Sequence, residues 1–255
     1  MGKVVAISNQ KGGVGKSTTA INLSACLSER QKKVLLVDLD PQGNTSSGLG
    51  VDREQTGNTV YELLIGQASA RHCTVQTKFG KLYIVPSNVE LAGAEIELME
   101  FENREFLLRN ALEPVREQYD YILIDCPPSL SILTLNALTA ADSVLIPVQC
   151  EYYALEGLTQ LMKTIYLVQE RLNADLKING IVFTMYDART NLSSDVVENV
   201  KSNLDVYTYE SMIPRNVRLA ESPSYGLPII KYDTHSTGAK KYRELAVEFI
   251  RRRKI

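Results

Sequence analysis

Histidine is nearly absent from this 255-residue chain, which has only His72 and His235. A His-based metal centre or a Ser-His-Asp triad is therefore poorly supported, and each histidine reads as a surface or internally satisfied side chain. The four cysteines, Cys26, Cys73, Cys126 and Cys150, are widely spaced and form no C-x-x-C pair. That pattern argues against a disulfide frame or a zinc site and for reduced thiols in the cytoplasm. No apolar run approaches the roughly 20 residues that a membrane span needs. A signal peptide is not expected either, since an apolar strand pattern begins within a few residues of Met1. The Met1-Gly2 start lacks the Ser or Thr at position six that myristoylation would want, because Ala6 stands there. Repeats, low-complexity segments and linkers are missing too, so one soluble domain spanning 1–255 is expected.

What is present is ordinary in bulk and uneven in detail. Hydrophobic content of 44% and charged content of 23% fit a globular α/β domain of this length. Net charge is −2, yet residues 231–255 carry eight Lys/Arg against three Asp/Glu, leaving −7 on the remainder. A basic patch on an acidic body can still hold a polyanion, because nearby charges set the local field.

Short apolar runs alternate with stretches of helical length. Strands are expected at Val4 to Ser8, Lys33 to Leu39, Leu82 to Pro86, Tyr121 to Asp125, Ser143 to Val148 and Ile178 to Thr184. Runs such as Val34-Leu35-Leu36-Val37 are apolar on consecutive positions, which suits parallel strands covered on both faces. Helices are expected at Ser17 to Arg30, Asn103 to Gln118, Leu130 to Ala140, Ala154 to Leu172 and Ser193 to Leu204. The alternation predicts a doubly wound, mostly parallel sheet with helices on both faces.

The stretch that organises the rest is Lys11-Gly12-Gly13-Val14-Gly15-Lys16-Ser17-Thr18, lying between the first strand and the first helix. Glycines let successive backbone N–H groups converge on an anion, and the helix that follows adds the positive end of its dipole. Lys16 is placed to reach β and γ phosphates, and the Ser17 hydroxyl to coordinate Mg²⁺. The ordinary P-loop pattern asks for glycine where Gln10 stands, and a second lysine, Lys11, opens the loop instead. A dinucleotide fingerprint tried from Gly13 fails at Thr18, where close helix packing would need glycine.

Ligands in such sheets gather at the carboxyl ends of strands. After the second strand comes Asp38-Leu39-Asp40-Pro41-Gln42-Gly43-Asn44. Paired carboxylates closing an apolar run are costly without partners, which a bound Mg²⁺-nucleotide would supply. Asp40 is expected to orient the attacking water, with Asp38 supporting it near the metal; the bland alternative is a turn in which Asp40 caps a helix. A further strand ends in Asp125, followed by Cys126-Pro127-Pro128. An apolar strand closing on Asp is the Walker B arrangement for holding Mg²⁺ through its water shell. Cys126 has no basic neighbour in sequence and reads as a small buried residue, not a nucleophile.

These motifs together resemble the deviant-Walker ATPases of the ParA/MinD superfamily. Tyr186-Asp187-Ala188-Arg189-Thr190-Asn191 and Ile213-Pro214-Arg215-Asn216-Val217-Arg218-Leu219-Ala220-Glu221-Ser222 narrow the resemblance to the chromosome-partition type, Soj or small ParA. The resemblance runs nearly the full length. It implies a slow ATPase using ATP and Mg²⁺, cytoplasmic and nucleoid-associated, that forms a homodimer on binding ATP. Lys11 would reach the partner subunit's phosphates, and Gly12 would lie at the interface, where a side chain would hold the subunits apart. Pro214 and Asn216 would border the adenine. Arg189 and Arg218 would contact double-stranded DNA without reading its sequence, and the basic C-terminal cluster would extend that surface. A ParB-like centromere-binding protein would stimulate hydrolysis.

A MinD-like membrane-associated regulator of division placement is the nearest rival. It would need a lipid-seeking C-terminal helix, whereas Tyr242, Leu245, Ala246, Phe249 and Ile250 fit a helix docked on its own domain. A reductase relative would need an iron–sulfur cluster motif, which Cys126 and Cys150 do not form. A non-enzymatic binding module would have no use for Asp40 and Asp125 beside Lys16. No N-terminal DNA-reading domain is expected, since the glycine-rich loop begins at Lys11.

Overall fold

The structure is a computed structural model that describes residues 2–52, 57–152 and 154–252. Its strands are β1 (Lys3–Ile7), β2 (Val34–Asp38), β3 (Val75–Gln76), β4 (Leu82–Val85), β5 (Tyr121–Asp125), β6 (Ser143–Gln149) and β7 (Lys177–Thr184). They form one sheet in the order β3-β4-β2-β5-β1-β6-β7, parallel throughout except for the short edge strand β3. The helices of the first half are α1 (Lys16–Glu29), α2 (Asn44–Gly48), α3 (Val60–Leu64), α4 (Ala70–Cys73), α5 (Leu91–Glu97) and α6 (Leu107–Leu112). Those of the second half are α7 (Ile132–Ala140), α8 (Ala154–Arg171), α9 (Asn191–Asn203), α10 (Val217–Glu221), α11 (Ile229–Tyr232) and α12 (Thr237–Arg252).

The consecutive apolar runs are explained by a core on each side of the sheet. Every residue of β2 and β5 is buried. Along the strands the side chains alternate: Val4, Leu35 and Ile122 enter one core, while Val5, Leu36 and Leu123 enter the other. On the second face α12 packs along α1, with Tyr242, Leu245, Ala246 and Phe249 buried and Phe249 against Tyr121. The Tyr242 hydroxyl hydrogen-bonds Thr19 Oγ1 at 3.2 Å. The expected docked C-terminal helix is thus present, and no described helix is long and apolar enough to cross a membrane. Arg253 and Lys254 of the basic tail lie outside the described residues.

One expectation needs correcting. Asn103 to Gln118 is not a single helix: Asn103 adopts a left-handed φ of 53°, and α6 is flanked by 3₁₀ turns at 104–106 and 113–118. Pro114 explains the second break, since it lacks the N–H that would continue the α pattern and clashes with the preceding turn. The edge strand β3 leaves no sequence signal, because two residues, one half-buried and one exposed, carry no periodicity.

Strand order places the chemistry. β1 lies between β5 and β6 with its carboxyl end beside Asp125, and Asp38 is in register with Asp125 across β2 and β5. The loop leaving β1, the aspartates closing β2 and β5, and the turn leaving β7 therefore converge on one edge of the sheet.

Candidate active site

The loop leaving β1 turns into α1 through Gly13 and Gly15, at φ 73° and 85°. Gly15 is the cap residue of α1, and no side chain caps that end, so its first N–H groups stay available to an anion. A Cβ built on Gly15 would also enter a left-handed conformation that L-residues avoid. Gly12 is different: it has no positive φ, and a Cβ there would meet nothing within 4 Å. Val14 is buried behind the loop, its carbonyl accepting a hydrogen bond from Thr184 Oγ1 at 2.8 Å.

This loop borders a cavity of about 580 Å³, lined among others by Gly12, Gly13, Lys16, Ser17, Asp40 and Pro128. Lys16 is 7% exposed, and its Nζ donates to the Lys11 carbonyl at 3.0 Å. Burial pulls the Lys16 ammonium below its ordinary range, and Asp125 pulls it back up. Opposed carboxylates thus keep a cation in a dry site. Asp40 accepts a hydrogen bond from the Gln42 N–H at 2.9 Å through Oδ1, so its side chain closes a turn. It does not cap α2, whose cap residue is Gly43 with no side-chain bond. The carboxylate remains on the cavity wall.

Asp38 and Asp125 are fully buried, and burial raises both carboxyls well above the ordinary carboxylate range. Asp125 pushes Asp38 further up. The hydrogen bond from Thr45 and the nearby Ser17 hydroxyl partly offset the rise at Asp125. Their partners separate the two. Asp38 Oδ2 accepts from the Ser46 N–H at 2.8 Å and the Ser46 hydroxyl at 2.6 Å, and Oδ1 accepts from the Asp40 N–H at 3.4 Å. Asp125 Oδ2 accepts from Thr45 Oγ1 at 2.6 Å, but Oδ1 is buried without a hydrogen-bonding partner. An orphaned buried carboxylate oxygen beside Ser17 suits a divalent cation, because such an oxygen is costly unless something positive faces it. Asp38, with both oxygens engaged by protein donors, is a supporting residue in this geometry and not a free ligand.

A second cavity of about 280 Å³ adjoins the first, since Gly15, Thr18 and Met185 line both. Pro214 and Asn216 line it with Thr184, Ile213 and Tyr242. The Asn216 amide is already employed: Oδ1 accepts from Leu219 N at 3.3 Å to cap α10, and Nδ2 donates to Thr237 Oγ1 at 2.8 Å. Met185 was not anticipated. It is a non-glycine residue at φ 50°, and such strain collects where a ligand is clamped. No sequence signal marks it, because nothing in Thr184-Met185-Tyr186 demands a left-handed turn.

Three expected cations lie elsewhere. Lys11 lines neither cavity and pairs with Glu151 within its own subunit. Arg189, 88% exposed, is held by Asp187 through contacts of 2.7 and 2.9 Å. Arg218 is paired with Glu221 at 3.0 Å and Asp233 at 3.7 Å. In the C-terminal cluster Arg243 binds Glu29, Lys241 binds Glu244, and Arg252 stacks on the Tyr207 ring. The cysteines are all buried, and burial raises the Cys126 thiol far above its ordinary range, so it has no nucleophilic role.

A glycine-rich turn from a central parallel strand into a helix, with a buried lysine and Asp40 on one cavity and Asp125 at the neighbouring strand end, defines a P-loop nucleoside-triphosphatase. Residues 2–178 match the AAA domain family. The chain is 56% identical over 248 residues to the sporulation initiation inhibitor protein Soj of Bacillus subtilis, covering 97% of this chain and 98% of that one. It is 52% identical to the chromosome-partitioning ATPase Soj of Treponema pallidum, covering 99% and 98%. Its fold superposes with a TM-score of 0.88 on a Mycobacterium smegmatis protein described as cobyrinic acid a,c-diamide synthase, solved with ADP and magnesium. That pair is 40% identical, with 100% of this chain and 96% of that one covered. The chain belongs to the Soj/ParA family of chromosome-partitioning ATPases.

Proposed function

We propose that this chain is a DNA-partition ATPase that works as a nucleotide-timed switch. ATP with Mg²⁺ joins two subunits, the joined form holds double-stranded DNA without reading sequence, and hydrolysis releases both contacts. Such a protein is cytoplasmic and associates with the nucleoid. One observation carries the reading. Lys16, Ser17 and Asp40 line one cavity of about 580 Å³ next to a turn built for anions, and Asp125, closing a third strand, lies beside Lys16 and Ser17.

Each residue then has a task. The backbone of Gly13, Val14, Gly15 and Thr18 cradles phosphate oxygens, and Lys16 gives up its bond to the Lys11 carbonyl for β and γ phosphates. Ser17 and the orphaned Asp125 oxygen would hold Mg²⁺, which supplies charge neutralisation on the phosphates. Asp38 fixes the β2 end through Ser46 and Asp40. Asp40, steadied by Gln42, orients the attacking water and takes its proton. Pro214, Asn216 and Met185 line the space for adenine and ribose.

Lys11 and Gly12 support the dimer. Nothing inside the subunit requires position 12 to be glycine, so a missing side chain there matters only to something approaching from outside. Lys11 lies beyond its own cavity, consistent with reaching the phosphates of the partner subunit after leaving Glu151. Arg189 and Arg218 contact DNA phosphates, and dimerisation doubles such contacts, which makes DNA affinity depend on the nucleotide. A ParB-like protein stimulates turnover. The relatives' names favour partition over the MinD-like alternative, and α12 is occupied with its own domain.

Size-exclusion chromatography with light scattering, in ADP and in ATP, with and without duplex DNA, tests the switch. A dimer only in ATP, and DNA bound only by that dimer, is expected. A monomer indifferent to DNA in both nucleotides would overturn it.

A further inference from the structure

Lys11 is followed by Gly12 and Gly13, both exposed, and a Cβ on either would meet nothing within 4 Å. Such a pair restrains nothing that precedes it. The direction in which Lys11 leaves the loop is therefore set from the other side, by Asn9 and Gln10. Asn9 lies just past the end of β1 and is 4% exposed. Its Nδ2 donates to the Pro147 carbonyl of β6 at 2.7 Å, and its Oδ1 accepts from the Lys11 N–H at 3.0 Å. A carbonyl can only accept and a backbone N–H can only donate, so one orientation of the amide satisfies both. Gln10, where an ordinary P-loop has glycine, reaches the other way: its Nε2 donates to Thr164 Oγ1 of α8 at 3.2 Å.

These two anchors bracket Glu151. Pro147 and Thr164 lie on either side of it in the chain, so the segment carrying the partner of Lys11 is tied at both ends to the residues just before Lys11. The Lys11 carbonyl, for its part, holds Lys16 Nζ at 3.0 Å. That bond ends when Lys16 turns to phosphate, and the Asn9 bond is then the one of the two that still holds the Lys11 backbone.

We propose that Asn9 is a positioning residue for Lys11. By holding the Lys11 N–H against β6 it aims the side chain out of the subunit's own nucleotide site and toward a second subunit. Lys11 accordingly lies on Glu151 and lines neither cavity. A lysine on an unrestrained glycine loop would fold back on the phosphates of its own subunit and be lost to a partner. Setting the backbone beforehand removes that alternative and lowers the ordering cost when two subunits meet. Only an amide does both tasks: serine can accept from the N–H two residues on but does not reach Pro147, and alanine does neither. The inference rests on the dimer reading above, in which Lys11 serves the phosphates of the partner subunit.

Three measurements on the full chain test it. Light scattering across protein concentrations, with Mg²⁺ and ATPγS, gives the dimer affinity. Calorimetry with ADP reports on the subunit's own site, and thermal melting reports on the fold. Asn9→Ala is expected to weaken the dimer at least about tenfold, since a symmetric dimer carries the change twice, with ADP affinity within about threefold of wild type. Asn9→Ser loses the Pro147 bond as alanine does, so both variants should melt a few degrees below wild type. Serine keeps an acceptor for the Lys11 N–H, and its dimer affinity is expected within about threefold of wild type. A serine variant that dimerises no better than alanine would make Asn9 merely structural and overturn the proposal. So would an ADP affinity that falls as far as the dimer affinity in Asn9→Ala. Wild-type dimerisation by Asn9→Ala would sink this inference alone, whereas a wild type that stays monomeric would sink the dimer reading and this inference together.

Discussion

Lys16 and Arg189 are both assigned to phosphate, yet their surroundings are opposites. Lys16 is 7% exposed, depressed by burial, and fixed by a backbone carbonyl and nearby carboxylates. Arg189 is 88% exposed on the side chain, and its partner Asp187 is pulled down to about 2 by the guanidinium. Within one subunit the backbone turn, the buried cation and Asp40 already share one cavity. The second is a loose surface pair, and on the proposed reading Asp187 must be displaced before DNA can take over. A buried pre-organised cation gives large, specific effects on removal, while an exposed pair contributes little by itself and matters through number and salt.

Variants can break that contrast, beginning where the effect is greatest. Asp40→Ala is expected to retain ATP and the ATP-dependent dimer while turnover falls roughly 10²- to 10⁴-fold, measured as phosphate release. Undiminished turnover would move the water-orienting role elsewhere. Lys16→Ala should weaken ATP binding at least about a hundredfold by isothermal calorimetry, since it removes charge-assisted bonds in a dry site.

On the exposed side, Arg189→Glu should leave ATP affinity alone and lower DNA affinity about tenfold at moderate salt, with a shallower salt slope. Asp187→Asn sharpens the point: releasing Arg189 should tighten DNA binding only about two- to fivefold, as an exposed pair allows. Salt-sensitive DNA binding that survives Arg189→Glu intact would mean that the DNA surface lies elsewhere.

The smallest expected effect concerns pH. Burial holds the Asp38 and Asp125 carboxyls well above their unfolded values. Between the unfolded carboxylate range and those raised values the folded chain binds more protons than the unfolded one, so this pair's contribution to stability falls as pH rises through the window. Without nucleotide, the melting midpoint should rise by a few degrees from pH 8 to pH 6 on this account, and Asp38→Asn should flatten the rise. A midpoint with the same pH slope in wild type and Asp38→Asn would contradict the assignment.

Much of the fold was legible because burial on both faces leaves a direct mark on composition. Val34-Leu35-Leu36-Val37 and Ile122-Leu123-Ile124 could hardly be anything but central parallel strands, and they are. The glycine-rich loop was legible for a similar reason, since left-handed turns at Gly13 and Gly15 demand a residue without Cβ. The helix expected from Asn103 to Gln118 is broken, because helical spacing does not register the left-handed turn at Asn103 or the N–H that Pro114 lacks. Met185 left no trace, since its strain comes from surrounding structure and not from its own preference.

The sequence by itself determined the alternation of strands and helices, the anion-binding turn and the family, because these rest on local stereochemistry and on residue identity. Only the tertiary structure decided which partner each charge has. It put Asp38 under Ser46, left an Asp125 oxygen bare, set Lys11 on Glu151, and brought Asp233 to Arg218. Charge pairing depends on distance in space, and residues that meet across the sheet edge, such as Asp38 and Asp125, are far apart along the chain.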